Sequence, residues 1–265
     1  MTAVEAPAIE AKGATLSFGQ VVAFQGVDFS VAPGELFAVI GPNGAGKTSL
    51  FNSLSRVYDL SSGSLHSFGH DLLRLRPKHL AGLGVARTFQ NLGLFPKLTV
   101  LDNVLVGRHH LMTSGPVLGG VWFGRSRREE RLHREAAMEA LRFFGMADQA
   151  NRLVGALSYG QRKRVEFARA LAMEPRLLLL DEPVAGMGAG ERREMTELVR
   201  RMHQERNLTV LLVEHDMGMV MQVAQRVMVL DFGRPIAIGT PAEIQRDERV
   251  IRAYLGQDPE KAAQS

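Results

Sequence analysis

The 265-residue sequence contains no cysteine, which excludes disulfide bonds, thiol catalysis and zinc–thiolate sites. No stretch approaches the roughly 18 consecutive apolar residues that a membrane-spanning helix needs. The longest apolar runs, residues 177–180 and 208–213, are typical of buried strands. Residues 1–12 lack the apolar core of a signal peptide. We therefore expect a protein that is soluble unless a partner holds it at a membrane.

A strong charge imbalance is also missing, because 32 basic residues stand against 28 acidic ones and the net charge is only +4. Since the two signs are mixed along the chain, we expect no nucleic-acid partner. The densest basic run, residues 125–134, is typical of a solvated helix face. The length predicts one large domain, or one domain with a subdomain.

A glycine-rich segment is the clearest positive feature. Residues 41–48, GPNGAGKT, match G-x-x-x-x-G-K-[ST] between a predicted strand at residues 36–40 and a predicted helix at residues 47–57. Glycines let backbone N–H groups face phosphate oxygens, and the helix adds its positive N-terminal end. Lys47 is expected to reach the β and γ phosphates, and Thr48 to bind Mg²⁺. The predicted nucleotide-binding residues are Gly41, Pro42, Asn43, Gly44, Ala45, Gly46, Lys47, Thr48 and Ser49.

Two carboxylates follow the apolar run at residues 177–180. Asp181 is placed to hold Mg²⁺ or its waters, and Glu182 to deprotonate an attacking water. An isolated Asp-Glu pair more often caps a turn, but the phosphate loop in the same chain favours hydrolysis.

Two further polar residues end predicted strands. Gln90 closes a strand over residues 85–90, and His215 follows the strand at residues 208–213. Ligands of parallel sheets bind at the carboxyl ends of strands, so both residues are candidates for the same site. Taken alone, such a glutamine is usually a surface residue, and such a histidine is more often a structural one. Ser158 opens another helix, where a plain N-cap and a second anion site are both compatible with the sequence.

Strands and helices alternate at both ends of the chain, which predicts an α/β fold with a mainly parallel sheet. The middle, residues 91–155, is mostly helical and is predicted to form an inserted subdomain. Residues 60–69 are interpreted as loop and turn, and residues 240–255 as one last helix with Thr240 as its cap.

Together these motifs resemble the nucleotide-binding subunits of ATP-binding-cassette (ABC) transporters. The segment LSYGQ, residues 157–161, is similar to that family's signature, and the order of motifs along nearly the whole chain also fits. The resemblance implies an ABC-type P-loop NTPase fold: a core at residues 8–90 and 156–256, an antiparallel β subdomain and the helical subdomain at 91–155. Residues 257–265 would form a flexible tail.

The resemblance also implies roles. ATP and Mg²⁺ would be the cofactors, and two such subunits would sandwich two ATP molecules. Ser158, Gly160 and Gln161 would then touch the nucleotide bound to the partner. Gln90 would contact Mg²⁺ and the attacking water, Glu182 would be the general base, and His215 would sense the γ-phosphate. Phe18 would stack on adenine; the alternative is a residue of the strand core.

Finer resemblance points to branched-chain amino-acid uptake. It is carried by RTFQN (87–91), LFPKLTV (94–100), NVLVG (103–107), the insertion at 108–134 and the ending IRAYLG (251–256). Separate membrane-spanning permease subunits, a second cassette subunit and a separate substrate-binding protein are the implied partners. The implied location is the cytoplasmic face of a bacterial-type inner or plasma membrane.

One departure and several alternatives accompany this interpretation. The family's usual aspartate after the Asp-Glu pair is Gly188 here, which raises the prospect of an unequal dimer partner. Similar ATPases for lipopolysaccharide export usually lack the 108–134 insertion. Chromosome-type or ribosome-type cassettes would need a coiled coil or a second cassette, and a GTPase would need an Asn-Lys-x-Asp motif; the sequence has none of these.

Overall fold

The computed structural model describes residues 6–88, 93–112 and 125–255. It divides into two compact units. The first is formed by the chain up to Leu80 and from Leu177 onward, and the second is Ala81–Arg176. Within the described ranges, no helix is both long and apolar enough to cross a membrane.

The strands and helices follow one another along the chain with bounds close to those predicted in the motif regions. The strands are β1 (Ile9–Phe18), β2 (Val21–Val31), β3 (Leu36–Ile40), β4 (Ser62–Ser67), β5 (His70–Asp71), β6 (Val85–Arg87), β7 (Leu177–Asp181), β8 (Thr209–Val213), β9 (Arg226–Asp231) and β10 (Arg234–Gly239). The helices are α1 (Lys47–Leu54), α2 (Val100–Gly107), α3 (Arg125–Phe143), α4 (Tyr159–Ala172), α5 (Ala189–Arg206), α6 (Met217–Val223), α7 (Pro241–Arg246) and α8 (Glu248–Leu255).

A mainly parallel sheet forms the centre of the first unit. There its strand order is β10-β9-β3-β8-β7, and β3 runs parallel to both β8 and β9. β7 is parallel to β8, whereas β10 is antiparallel to β9. Every residue of β3, β7 and β8 is buried, which explains their continuous apolar sequences. The α/β fold class predicted from the sequence is confirmed.

An antiparallel sheet is the second layer of this unit, in the order β2-β1-β4-β5. Its strand β4 corrects the interpretation of residues 60–69 as loop and turn. Only one residue of SGSLHS, the fully buried Leu65, is strongly apolar, so the segment carries no strand pattern. Pairing with β1, in which Leu65 lies opposite Ala11, makes it a strand. This antiparallel layer agrees with the subdomain that the family resemblance implied.

The second unit is built on three helices, α2, α3 and α4, which pack on one another. Its buried side chains include Val104, Leu141, Phe144 and Phe167. The predicted helical subdomain, residues 91–155, lies inside this unit. The unit extends to Arg176 because α4 packs against α2 and α3.

Two helices end at residues other than those predicted from the sequence. The helix predicted for residues 47–57 stops at Leu54, where Arg56 adopts a left-handed backbone (φ 61°). The single helix predicted for residues 240–255 is two helices. Asp247 between them is extended (ψ 115°), and its Oδ1 accepts a hydrogen bond from the Arg249 N–H at 2.8 Å. The predicted cap at Thr240 is confirmed, since its hydroxyl accepts from the Glu243 N–H.

Leu211 gives a test of the sheet core. It lies at the centre of β8, with Phe37 and Leu179 as its neighbours in register, and is 0 % exposed. We expect Leu211→Ala to lower the free energy of unfolding by about 2–5 kcal/mol, because it leaves a cavity between well-packed strands. Urea denaturation measures this. Leu132→Ala, at a leucine that is 56 % exposed, is the control and should shift stability far less. Equal losses in the two variants would contradict the assigned core.

Candidate nucleotide site

The phosphate loop is tightly enclosed by its own unit. β3 ends at Ile40, α1 begins at Lys47, and Gly46 between them is left-handed (φ 97°). A Cβ atom on Gly46 would lie 2.4 Å from the Ala23 carbonyl oxygen, and one on Gly41 would lie 2.1 Å from that of Leu230. Because both obstacles are backbone atoms, only glycine fits at either position.

Lys47 lies folded over the loop. Its Nζ donates to the carbonyl oxygens of Gly41 (2.7 Å) and Pro42 (2.9 Å), and the residue is 7 % exposed. Burial lowers the pKa of this ammonium group, and the nearby charge of Glu182 offsets part of that shift. The ammonium group therefore donates to two neutral carbonyl oxygens. The negatively charged oxygens of a phosphate are stronger acceptors and can replace them.

The loop is held in place from two sides. Ala45 donates its N–H to the Pro42 carbonyl, and the Ala45 carbonyl accepts from the Gly233 N–H at 3.1 Å. Gly233, in the β9–β10 turn, in turn accepts from the Gln25 N–H of β2 at 2.8 Å. The parallel and antiparallel sheets are thus both tied to the phosphate loop.

The two predicted acidic residues stand at the carboxyl end of β7. Asp181 is 3 % exposed and lies opposite Val213, the last residue of β8. Glu182 has a left-handed backbone (φ 46°), and its N–H donates to the Val213 carbonyl at 2.9 Å. A non-glycine residue in this conformation is strained, and such strain is common at functional sites.

His215 lies beside Glu182, as the convergence of strand ends predicted. Its Nδ1 is 3.8 Å from Glu182 Oε1, too far for a hydrogen bond, and its side chain is 56 % exposed. The same Nδ1 is 3.8 Å from Oε2 of Glu214, a carboxylate that is fully buried. The sequence reasoning passed over Glu214, because nothing in a lone glutamate before a histidine shows that it folds inward.

Phe18 ends β1 and is 49 % exposed, so it is not a core residue of the strand. Its ring packs edge-on against Tyr58, with 5.1 Å between the ring centroids. One aromatic neighbour therefore orients the ring while half of the side chain stays accessible.

The signature segment lies in the second unit, at the start of α4. Ser158 Oγ accepts from the Gln161 N–H at 3.3 Å, and the Ser158 N–H donates to Gln161 Oε1 at 3.0 Å. This reciprocal pair is a capping box, so the ordinary N-cap function of Ser158 is present. Ser158 is exposed and Gly160 is buried.

Of the predicted residues, Lys47, Asp181, Glu182 and His215 lie in the first unit together with the phosphate loop. Ser158, Gly160 and Gln161 lie in the second. Gln90 lies outside the described residues.

Comparison with known protein families identifies two matching models. The model described as ABC transporter matches residues 24–185. A second, described as branched-chain amino acid ATP-binding cassette transporter, matches residues 234–260.

Curated relatives match along nearly the full chain. The high-affinity branched-chain amino acid transport ATP-binding protein BraF of Pseudomonas aeruginosa is 39 % identical over 251 residues, which are 95 % of this chain and 98 % of the relative. LivG of Escherichia coli K12, which carries the same description, is 38 % identical with the same coverage.

Solved structures of ATP-binding cassettes have the same fold as this chain. A nucleotide-free ATP-binding cassette from an ABC transporter superposes with a TM-score of 0.79 and 27 % identity, covering 94 % of this chain and 99 % of that one. An ATP-binding cassette of an ABC transporter in its ADP conformation gives a TM-score of 0.80 and 27 % identity, covering 95 % and 100 %. With the phosphate loop, the acidic pair and the matched family model on one chain, this protein belongs to the ABC transporter family as an ATP-binding, ATP-hydrolysing cassette.

Proposed function

We propose that the chain is the ATP-hydrolysing subunit of a transporter for the uptake of branched-chain amino acids. The observation that carries this proposal is the match to BraF and LivG over 95 % of the chain, with 98 % of each relative covered. The separate match of residues 234–260 to the branched-chain model supports the same substrate class independently of the phosphate loop.

ATP binding begins at the phosphate loop. The Lys47 ammonium leaves the Gly41 and Pro42 carbonyls for the β and γ phosphates, where opposite charge makes stronger hydrogen bonds. The N–H groups at the start of α1 add to the attraction. Residues 41–49 are the proposed phosphate-binding set.

Magnesium fits the oxygen donors that this site offers. Thr48 supplies an exposed hydroxyl in the first turn of α1, and Asp181 supplies a carboxylate at the end of β7. Mg²⁺ in phosphate-transfer sites is held by one or two protein oxygens plus phosphates and waters, so two such residues suffice. The ion, when bound, neutralises charge on the phosphates; Gln90 is proposed as a further contact to it.

Glu182 is the proposed general base. Its backbone N–H is tied to the Val213 carbonyl, and its carboxylate oxygen Oε1 lies 3.8 Å from the His215 ring. It takes a proton from the water that attacks the γ-phosphorus. His215, beside it, is proposed to contact the γ-phosphate with its exposed ring.

The remaining contacts come from outside the phosphate loop. Phe18 is proposed to stack on adenine with its accessible ring face. Ser158, Gly160 and Gln161 are proposed to complete the ATP site of a second cassette subunit. Gly188 precedes α5 and donates its N–H to Glu191 Oε2 at 3.2 Å, and it offers no side chain to such a dimer. A partner with a different residue there would make the two sites unequal.

A permease contact is proposed on the second unit. Three exposed apolar side chains, Phe95, Leu98 and Leu153, belong to two segments that pair through the Val154 N–H and the Leu98 carbonyl at 3.1 Å. We name Phe95, Leu98 and Leu153 the apolar patch. An exposed apolar cluster favours a protein interface. The membrane-spanning partners would hold the chain at the cytoplasmic face of the membrane, with a separate substrate-binding protein on the other side.

Gly46→Ala tests the phosphate loop. The added Cβ meets the Ala23 carbonyl oxygen at 2.4 Å, so the loop must shift, and we expect the Kd for ATP to rise at least about tenfold. Titration with a fluorescent ATP analogue measures it. Gly26→Ala is the matched control: its φ is also positive (60°), but no described atom lies within 4 Å of the new Cβ. Equal affinity in both variants would refute the enclosed-loop geometry.

Glu182→Gln tests the base. The amide keeps the size of the side chain but cannot accept the proton, so ATP binding should persist while kcat falls by about 10²–10⁴. Steady-state phosphate release and ATP binding are measured on the same sample. Glu205→Gln, an exposed glutamate of α5 paired with Arg201, is the control with unchanged activity. Undiminished turnover in Glu182→Gln would rule out this residue as the base.

Leu153→Glu tests the apolar patch. A charge there costs desolvation against an apolar partner, so the chain should copurify with its permease subunits at least about tenfold less, with ATP binding unchanged. Leu132→Glu, at an equally exposed leucine of α3, is the control. Normal copurification of Leu153→Glu would remove the patch from the interface.

A further inference from the structure

Glu214 is a fully buried carboxylate that has no place in the proposed chemistry. It is 0 % exposed, between the last residue of β8 and His215. Burying a charge is unfavourable unless hydrogen bonds replace the lost water. An inward-facing glutamate beside a proposed catalytic residue therefore needs a specific set of donors.

Those donors are three backbone N–H groups from two segments. Oε2 accepts from His215 (2.8 Å) and from Asp216 (3.0 Å), and Oε1 accepts from Val184 at 3.1 Å. Hydrogen bonds from N–H groups to a carboxylate are shorter and stronger than those between neutral groups. One side chain thus joins the segment after β8 to the segment after β7.

The joined segments carry the two residues that face each other in the site. Val184 comes two residues after Glu182, and the Glu182 carbonyl accepts from the Ala185 N–H at 3.2 Å, which closes a tight turn. On the other side, Asp216 is fixed by an ion pair to Arg192 (3.2 Å) and caps α6. Glu214 is the link between this turn and the backbone of His215.

The link also keeps a strained backbone conformation from relaxing. Glu182 is left-handed at φ 46°, a conformation that costs free energy and persists only when its surroundings enforce it. The hydrogen bond from Glu182 N–H to Val213 holds one side of the residue, and the Val184–Glu214 bond holds the other. Without the second bond, the turn can relax and move the Glu182 carboxylate.

We infer that Glu214 is a positioning residue for ATP hydrolysis, which fixes the Glu182 carboxylate relative to His215 by clamping both backbone segments. This inference rests on the roles proposed above for Glu182 and His215. It predicts a specific kinetic pattern, because displacement of a base affects the chemical step, whereas the phosphate loop still binds ATP.

Glu214→Gln in the full chain tests it. The amide is the same size, but its NH₂ group cannot accept a hydrogen bond, so one of the two segments is released. We expect kcat per ATP-binding site to fall about ten- to hundredfold, with the Kd for ATP changed less than about twofold. Amide hydrogen exchange should become faster on the released segment, either at Val184 or at His215 and Asp216. Because the rate is divided by the concentration of ATP-binding sites, any unfolded protein in the sample does not lower kcat.

Two further variants serve as controls. Glu205→Gln, on the surface of α5, should behave as wild type, and Glu182→Gln should bind ATP with kcat lowered by about 10²–10⁴. Wild-type kcat in Glu214→Gln would overturn the inference. So would complete loss of ATP binding, because the carboxylate would then support the fold rather than the base. Undiminished turnover in Glu182→Gln would instead overturn the proposed base, and the inference with it.

Discussion

The in-register parallel pairing of β3, β8 and β7 is the constraint on which the rest of the structure depends. All three strands are buried along their full length, and they pair in one continuous register in which Leu211 lies between Phe37 and Leu179. Because the strands are parallel, their carboxyl ends meet at one edge. The phosphate loop follows β3, the acidic pair ends β7, and Glu214 and His215 follow β8. The sheet therefore determines where phosphate chemistry can occur.

Backbone atoms take part in nearly every contact that holds this edge in shape. The carbonyls of Ala23 and Leu230 leave no room for a Cβ atom on the loop glycines, and the Gly233 N–H donates to the Ala45 carbonyl. The strained Glu182 is held through backbone hydrogen bonds as well. Charged groups that are held in place before the reaction lower its barrier electrostatically, because they need not reorganise in the transition state.

The sequence predicted the parts whose signals are local. Residues 41–48 and the run before Asp181 need particular residue types in a particular order, so both were recognised together with their strands. The prediction of loop and turn for residues 60–69 was wrong for β4. Its single core residue, Leu65, becomes a strand residue only through pairing with β1. Glu214 was missed for a related reason: its donor Val184 lies 30 residues away along the chain. At the break, the Asp247 carboxylate accepts hydrogen bonds from the N–H and the guanidinium of Arg249, and periodicity does not reveal such contacts.

The central claim is that one sheet edge carries both ATP binding and ATP hydrolysis. A crystal structure of the Glu182→Gln chain with ATP and Mg²⁺ tests it most directly. The account predicts Lys47 Nζ on the phosphates instead of on the Gly41 and Pro42 carbonyls, Mg²⁺ between Thr48 and Asp181, and the γ-phosphate beside residue 182 and His215. A γ-phosphate out of reach of both residue 182 and His215, with Lys47 still on its carbonyls, would contradict it.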